Sequence, residues 1–192
     1  MDERPPSRQP LPKDAERVFS GILFDVYQWQ QELYDGSRTT FEKLHRNDSA
    51  VVIPVLEDGT LLLAEDEQPG RTPVLTFPGG QGEEGENPED LARRELLEET
   101  GYTAGELVLW RAIQPSSKID WAIYIYIARN CTKIAEPQLD PGERIILRPI
   151  SLDELIDLAE DPAFQNKEIV LDLVKARYDR EERAVLEKTL FG

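Results

Sequence analysis

The sequence predicts a mixed α/β architecture. Strand-like runs joined by Asp-Gly turns stand on both sides of one well-capped helix, and the C-terminal end has helical character. At 192 residues the chain has the length of one domain with a real core.

The elements follow in order. Residues 1–16 are charged and proline-rich, and are expected to form a flexible tail before a single domain over 17–192. Runs at 22–33 and 39–45 flank Asp35-Gly36, a hairpin signal because such a step accepts the positive φ of a tight turn. Runs at 50–56 and 60–64 around Asp58-Gly59 repeat that logic, and 74–77 leads into Gly79-Gly80. Next comes the central helix: Asn87 is suited to its cap, Pro88 to its first position, Glu89 and Asp90 to its positive end, and Gly101 to the residue beyond its last turn. Leu91, Leu96 and Leu97 are its candidate inward residues. Strands are expected at 107–113, 121–128 and 144–150, a capping-box helix from Ser151-Leu-Asp-Glu154, and a longer helix from about 166 towards 188.

Composition narrows the function. The net charge of −16 argues against the clustered cations that nucleic-acid backbones require, and against anionic membranes. A small anionic substrate stays compatible, because a bound cation inverts the local field. The one cysteine, Cys131, excludes an intrachain disulfide, fits a reducing compartment, and is expected buried near a strand end. No run approaches membrane-span length and no signal-peptide core opens the chain, so a cytoplasmic protein is expected.

The stretch GQGEEGENPEDLARRELLEETGY (80–102) carries the chemistry. Glu95, Glu98 and Glu99 are spaced three and four apart, which sets their carboxylates on one helical face. Like charges so placed repel and raise one another's pKa. A hard divalent cation removes that conflict, and Mg²⁺ suits one or two carboxylates plus phosphate oxygens. The other reading is a solvated acidic face. Arg94 is spaced for an ordinary ion pair with Glu98.

In register, the stretch reads G-x5-E-x7-R-E-(apolar)-x-E-E-x-G-(apolar), and it resembles the Nudix box of hydrolases that cleave nucleoside diphosphates linked to another group. The resemblance implies a Nudix fold, a mixed sheet between helices. It implies that the Gly79 carbonyl, Glu95, Glu98 and Glu99 bind Mg²⁺ (or Mn²⁺), that Arg94 orients a glutamate, and that Gly80, Glu86 and Gly101 support the box. The order of elements is similar to the branch of ADP-ribose pyrophosphatases and nucleoside-diphosphate-sugar hydrolases. In that branch the N-terminal hairpin, here 17–46, packs across a homodimer.

Substrate contacts stay open between two readings each. Tyr27 and Trp29 share a strand face; related dimers set aromatics there against adenine, while ordinary packing is the alternative. Ser116 and Lys118 lie where ADP-ribose hydrolases often carry a Ser-Pro-Gly loop; that tripeptide is absent, and Lys118 and Trp121 are either sugar or base contacts or simply loop and core. Relatives often have a Gln-aromatic-Arg triplet where this chain has acids, which leaves Arg71 as either a pyrophosphate contact or a turn residue. Glu143, in Asp140-Pro-Gly-Glu143, is the leading general base, with an exposed turn carboxylate as the alternative and Glu95 or Glu99 as the fallback. His45, the lone histidine, is expected at the surface or a dimer contact. The expected activity is hydrolysis of ADP-ribose or a related nucleoside diphosphate sugar. Modified nucleoside triphosphates or dinucleoside polyphosphates are the second enzyme reading, and a non-catalytic sensor of nucleotide sugars the third.

Overall fold

The computed structural model describes residues 4–192. A four-stranded sheet in the order β1-β2-β3-β10 is built from β1 (Glu16–Ser20), β2 (Asp25–Glu32), β3 (Arg38–His45) and β10 (Ile119–Asp120). Strands β2 and β3 form the long hairpin turned at Gly36, whose φ of 82° only glycine adopts without strain. The last strand, β10, pairs parallel to β3 and ties the hairpin to the rest of the chain.

The larger sheet is centred on β4 (Ser49–Leu56) and β11 (Ile123–Lys133), which pair in parallel. Antiparallel neighbours complete it: β9 (Glu106–Ile113) on β11, β7 (Gly79–Gln81) on β4, and β12 (Arg144–Ile150) and β6 (Val74–Thr76) on β5 (Leu61–Glu67). The short β8 (Tyr102–Thr103) pairs with the end of β11.

Alternation along β11 sorts the core into two layers. Ile123, Ile125 and Ile127 pack with α2 (Leu152–Asp157), α3 (Lys167–Tyr178) and α4 (Arg180–Phe191), whereas Tyr124, Tyr126 and Ala128 pack with α1 (Pro88–Thr100). The sheet is therefore sandwiched between helices, as the family resemblance implies.

Several boundaries differ from expectation. The single long helix expected after Asn166 is two, because Asp179 is extended (φ −129°, ψ 123°) and its side chain caps the Glu181 amide to start α4. Leu97 is exposed, while Leu91 and Leu96 are buried. Residues 4–15, read from sequence as a flexible tail, contact the body through Arg4, Pro5, Ser7 and Gln9. No helix among the described residues is long and apolar enough to cross a membrane.

Candidate active site

Helix α1 is fixed at both ends by the residues the sequence marked. Asn87 accepts from the Glu89 amide at 2.8 Å, and Gly101 (φ 75°) donates its amide to Leu97 O. A Cβ on Gly101 would lie 2.1 Å from the Ala135 carbonyl oxygen, so no larger residue fits. Its inward side packs on β4, which brings the glutamate face against β7.

There the glycines permit close approach. A Cβ on Gly79 would lie 2.2 Å from Ala50 O, and one on Gly80 would meet the Glu95 carboxylate. The Gly79 amide donates to Glu99 Oε2 at 3.0 Å. Arg94 is saturated with carboxylates: it donates to both oxygens of Glu86 (3.0 and 3.2 Å) and to Glu98 (2.8 Å), and stands 2.9 Å from Glu95. The i,i+4 pair with Glu98 is thus one part of a network that also includes Glu86 and Glu95.

A cleft of about 710 Å³ is lined by Gly79, Gly80, Arg94, Glu95, Glu98, Glu99 and Glu143. It continues past Gly79, Glu99 and Glu143 to Asp66 and Arg71. Burial pushes the Glu99 carboxyl up to about 8, and raises Glu95 and Glu143 as well. Glu86 goes the other way, held low by its hydrogen bonds from Arg94.

Among the described residues no three acidic, histidine or cysteine side chains close into a preformed cation cage. The chemistry of the donors nonetheless fits a hard divalent ion. Glu95 and Glu99 on one wall resist ionisation because burial disfavours their charged form, and Arg94 is already shared among Glu86, Glu95 and Glu98. Asp66 Oδ1, in the same cleft, is a buried oxygen with no hydrogen-bond partner.

The other residues singled out from sequence divide. Arg71 reaches the cleft, where it pairs with Asp66. Tyr27 instead lines a neighbouring cavity of about 580 Å³ under the hairpin and meets His45 edge-on (ring centroids 5.9 Å apart). That cavity shares Gln81 and Glu83 with the cleft. Trp29 is 7 % exposed, packed on Phe41 and hydrogen-bonded to Gln31. Ser116 and Lys118 line neither space; the Ser116 hydroxyl accepts from the Lys118 amide, and the Lys118 ammonium lies over Phe41. Trp121 stacks with Arg46 at 4.6 Å. Cys131 is buried, its thiol pushed up to about 11, and donates to Ala128 O.

Three contributors escaped the sequence reading. Asp66 reads as one acid in a run, and Arg46 as one charge beside the lone histidine. Asn166 reads only as the start of a helix, yet its Oδ1 accepts from the Phe77 amide at 2.7 Å, fixing the approach to Pro78 and Gly79. Only the third carried a signal, an Asn opening a helix.

Comparison with known proteins agrees with this geometry. Residues 45–173 match the NUDIX domain. The chain is 30% identical over 148 residues to the ADP-ribose pyrophosphatase of Bacillus subtilis (strain 168), covering 76% of this chain and 80% of that one. It is 26% identical over 161 residues to the methanol dehydrogenase activator of Bacillus methanolicus, covering 82% and 86%. It is 25% identical over 177 residues to the ADP compounds hydrolase NudE of Escherichia coli (strain K12), covering 88% and 92%. A crystal structure of an ADP compounds hydrolase superposes with a TM-score of 0.68 at 24% identity, covering 93% of this chain and 98% of that one, which shows the shared fold. The chain is a Nudix hydrolase, and within the Nudix family it belongs with the ADP-ribose pyrophosphatase branch.

Proposed function

We propose that the protein is a Mg²⁺-dependent pyrophosphatase hydrolysing ADP-ribose or a related nucleoside diphosphate sugar to a nucleoside monophosphate and a sugar phosphate. The observation that carries the reading is the meeting of Gly79, Glu95, Glu98, Glu99, Arg94 and Glu143 in one cleft. Glu95, Glu98, Glu99 and the Gly79 carbonyl would hold the cation (Mg²⁺, or Mn²⁺ in its place). When bound, such a cation neutralises charge developing on the diphosphate and activates water.

The chain's own residues do the rest. Water adds to one phosphorus as the bridging P–O bond breaks. Glu143 accepts the water's proton, which burial favours by raising its carboxyl towards the working range. Arg94 keeps Glu98 and Glu86 in place. Arg71, whose one carboxylate partner among the described residues is Asp66, can exchange it for a phosphate oxygen. Tyr27 borders the space for the nucleoside end.

The working unit in this reading is a single domain, 17–192, paired as a homodimer through the hairpin, acting in the reducing cytoplasm that its one free thiol suits. Product chromatography with Mg²⁺ tests the function, offering ADP-ribose, ADP-glucose, GDP-mannose, UDP-glucose and nucleoside triphosphates. AMP and ribose 5-phosphate are expected, with turnover lost in Glu98→Gln. Preferential cleavage of triphosphates would reject the substrate class.

A further inference from the structure

We propose that residues 4–9 form a strap clamping two loops at the mouth of the hairpin cavity, with Arg4 as a positioning residue for substrate binding. Its substrate half rests on the function proposed above.

Three anchors hold the strap. Arg4 grips both oxygens of Asp48, Nε at 2.7 Å and Nη2 at 2.9 Å, while Nη1 reaches Asp120 at 3.2 Å. A planar guanidinium used this way fixes direction as well as distance. Asp48 lies between β3 and β4 and also accepts the Ala122 amide at 2.8 Å; Asp120 ends β10. One side chain therefore joins the β3–β4 loop to the segment running from β10 into β11. The second anchor is Pro5, whose carbonyl accepts from Gln114 Nε2 at 2.9 Å just beyond β9.

The third anchor is Lys43 on β3, only 1% exposed. Its ammonium makes no ion pair among the described residues, and donates instead to Ser7 Oγ at 2.8 Å and Gln9 O at 2.6 Å. A buried ammonium needs acceptors, and the strap supplies them. Strap and hairpin are thus matched in chemistry, which a loosely lying tail would not require.

The consequence for binding follows from place. Arg4 lines the same cavity as Tyr27, and that cavity shares Gln81 and Glu83 with the glutamate cleft. Arg4 and its partner Asp48 are both part of that cavity's wall, so a substrate spanning both spaces meets a wall whose position Arg4 fixes. Arg4 touches none of the cleft glutamates, so its loss acts on binding and leaves the chemical step intact.

Hydrogen-exchange mass spectrometry on wild type, Arg4→Ala and a variant lacking residues 2–9 tests the clamp. The amides of Arg46 and Ala122, which bridge the two segments, are expected to exchange faster in both variants while α1 stays protected. In Mg²⁺ with ADP-ribose, KM is expected to rise about tenfold in Arg4→Ala, the worth of one charge-assisted hydrogen bond, with kcat unchanged. Arg4→Lys should fall between, since it keeps the charge and loses the fork. Unchanged exchange in Arg4→Ala would overturn the clamp, and loosened loops with an unmoved KM would overturn the substrate role. Wild type inert towards ADP-ribose would reject the proposed function instead, with exchange still deciding the clamp.

Discussion

Glu143 and Glu99 share a cleft and a cause, burial, yet lead to different expectations. If Glu143 takes the proton of the attacking water, Glu143→Gln lowers kcat by about 100- to 10,000-fold. Because burial already disfavours its charge, the neutral amide should not lower the melting temperature, which separates a chemical role from a structural one. The acid limb of the rate profile should sit above the ordinary carboxylate range and vanish in the variant. A tenfold loss or less would leave Glu99 or Glu95 as the base. For Glu99 the linkage concerns stability. Its carboxyl binds a proton more tightly folded, at about 8, than unfolded, at about 4.3. Below the lower value both states are protonated and folding carries no penalty. Between the two, only the unfolded chain has released its proton, so stability falls as pH rises through that window and levels off above it. Calorimetry in chelator should show the melting temperature declining from pH 5 to 8.5, less steeply in Glu99→Gln. Adding Mg²⁺ at pH 8 should recover the loss in wild type.

Among the elements, the approach to the glycine loop hangs on a partner far along the chain. Asn166, 6% exposed at the start of α3, accepts the Phe77 amide with its side chain, and Thr76 Oγ1 lies 3.3 Å from the same oxygen. Asn166→Ala strands a buried amide and should cost about 1–3 kcal/mol in urea unfolding. It should also slow turnover, because Gly79 follows two residues later; an unaltered kcat would show that β7 is held by β4 alone. Such a contact shows which parts of the site were legible in sequence. Asn87, Arg94, Glu95, Glu98, Glu99 and Gly101 lie within one helix and its caps, so their relations follow from 3.6-residue geometry. The turns at Gly36 and Gly59 were legible for the same local reason. Asn166 to Phe77, Arg4 to Asp48 and Asp120, and the parallel pairing of β10 with β3 are contacts across dozens of residues, which no local period encodes. The break at Asp179 is intermediate: the charged run from Asp179 to Arg183 consists largely of good helix formers, and only the side-chain cap of Asp179 reveals a second helix.

For the molecule as a whole, charge and exposed apolar surface pull in opposite directions. Two chains of −16 repel one another, and that repulsion is screened by salt. Yet the end of β1 and the turn after it present Phe19 at 58% and Ile22 at 107% exposure, large apolar side chains of which Ile22 lines the Tyr27 cavity. Hydrophobic attraction at that turn is a short-range term that survives screening, so dimerisation through the hairpin should strengthen as salt rises. Multi-angle light scattering at micromolar concentration is expected to give a dimer at 150 mM salt and a larger monomer fraction at 10 mM. Phe19→Asp with Ile22→Asp should give monomers at both, since each places a charge where apolar contact is required. If the hairpin also completes the nucleoside end of the site, those monomers should keep their melting temperature and lose affinity for ADP-ribose, read as a raised KM. A wild-type chain that stays monomeric at every salt concentration would sink the dimer, and would leave Tyr27 to act from within its own chain.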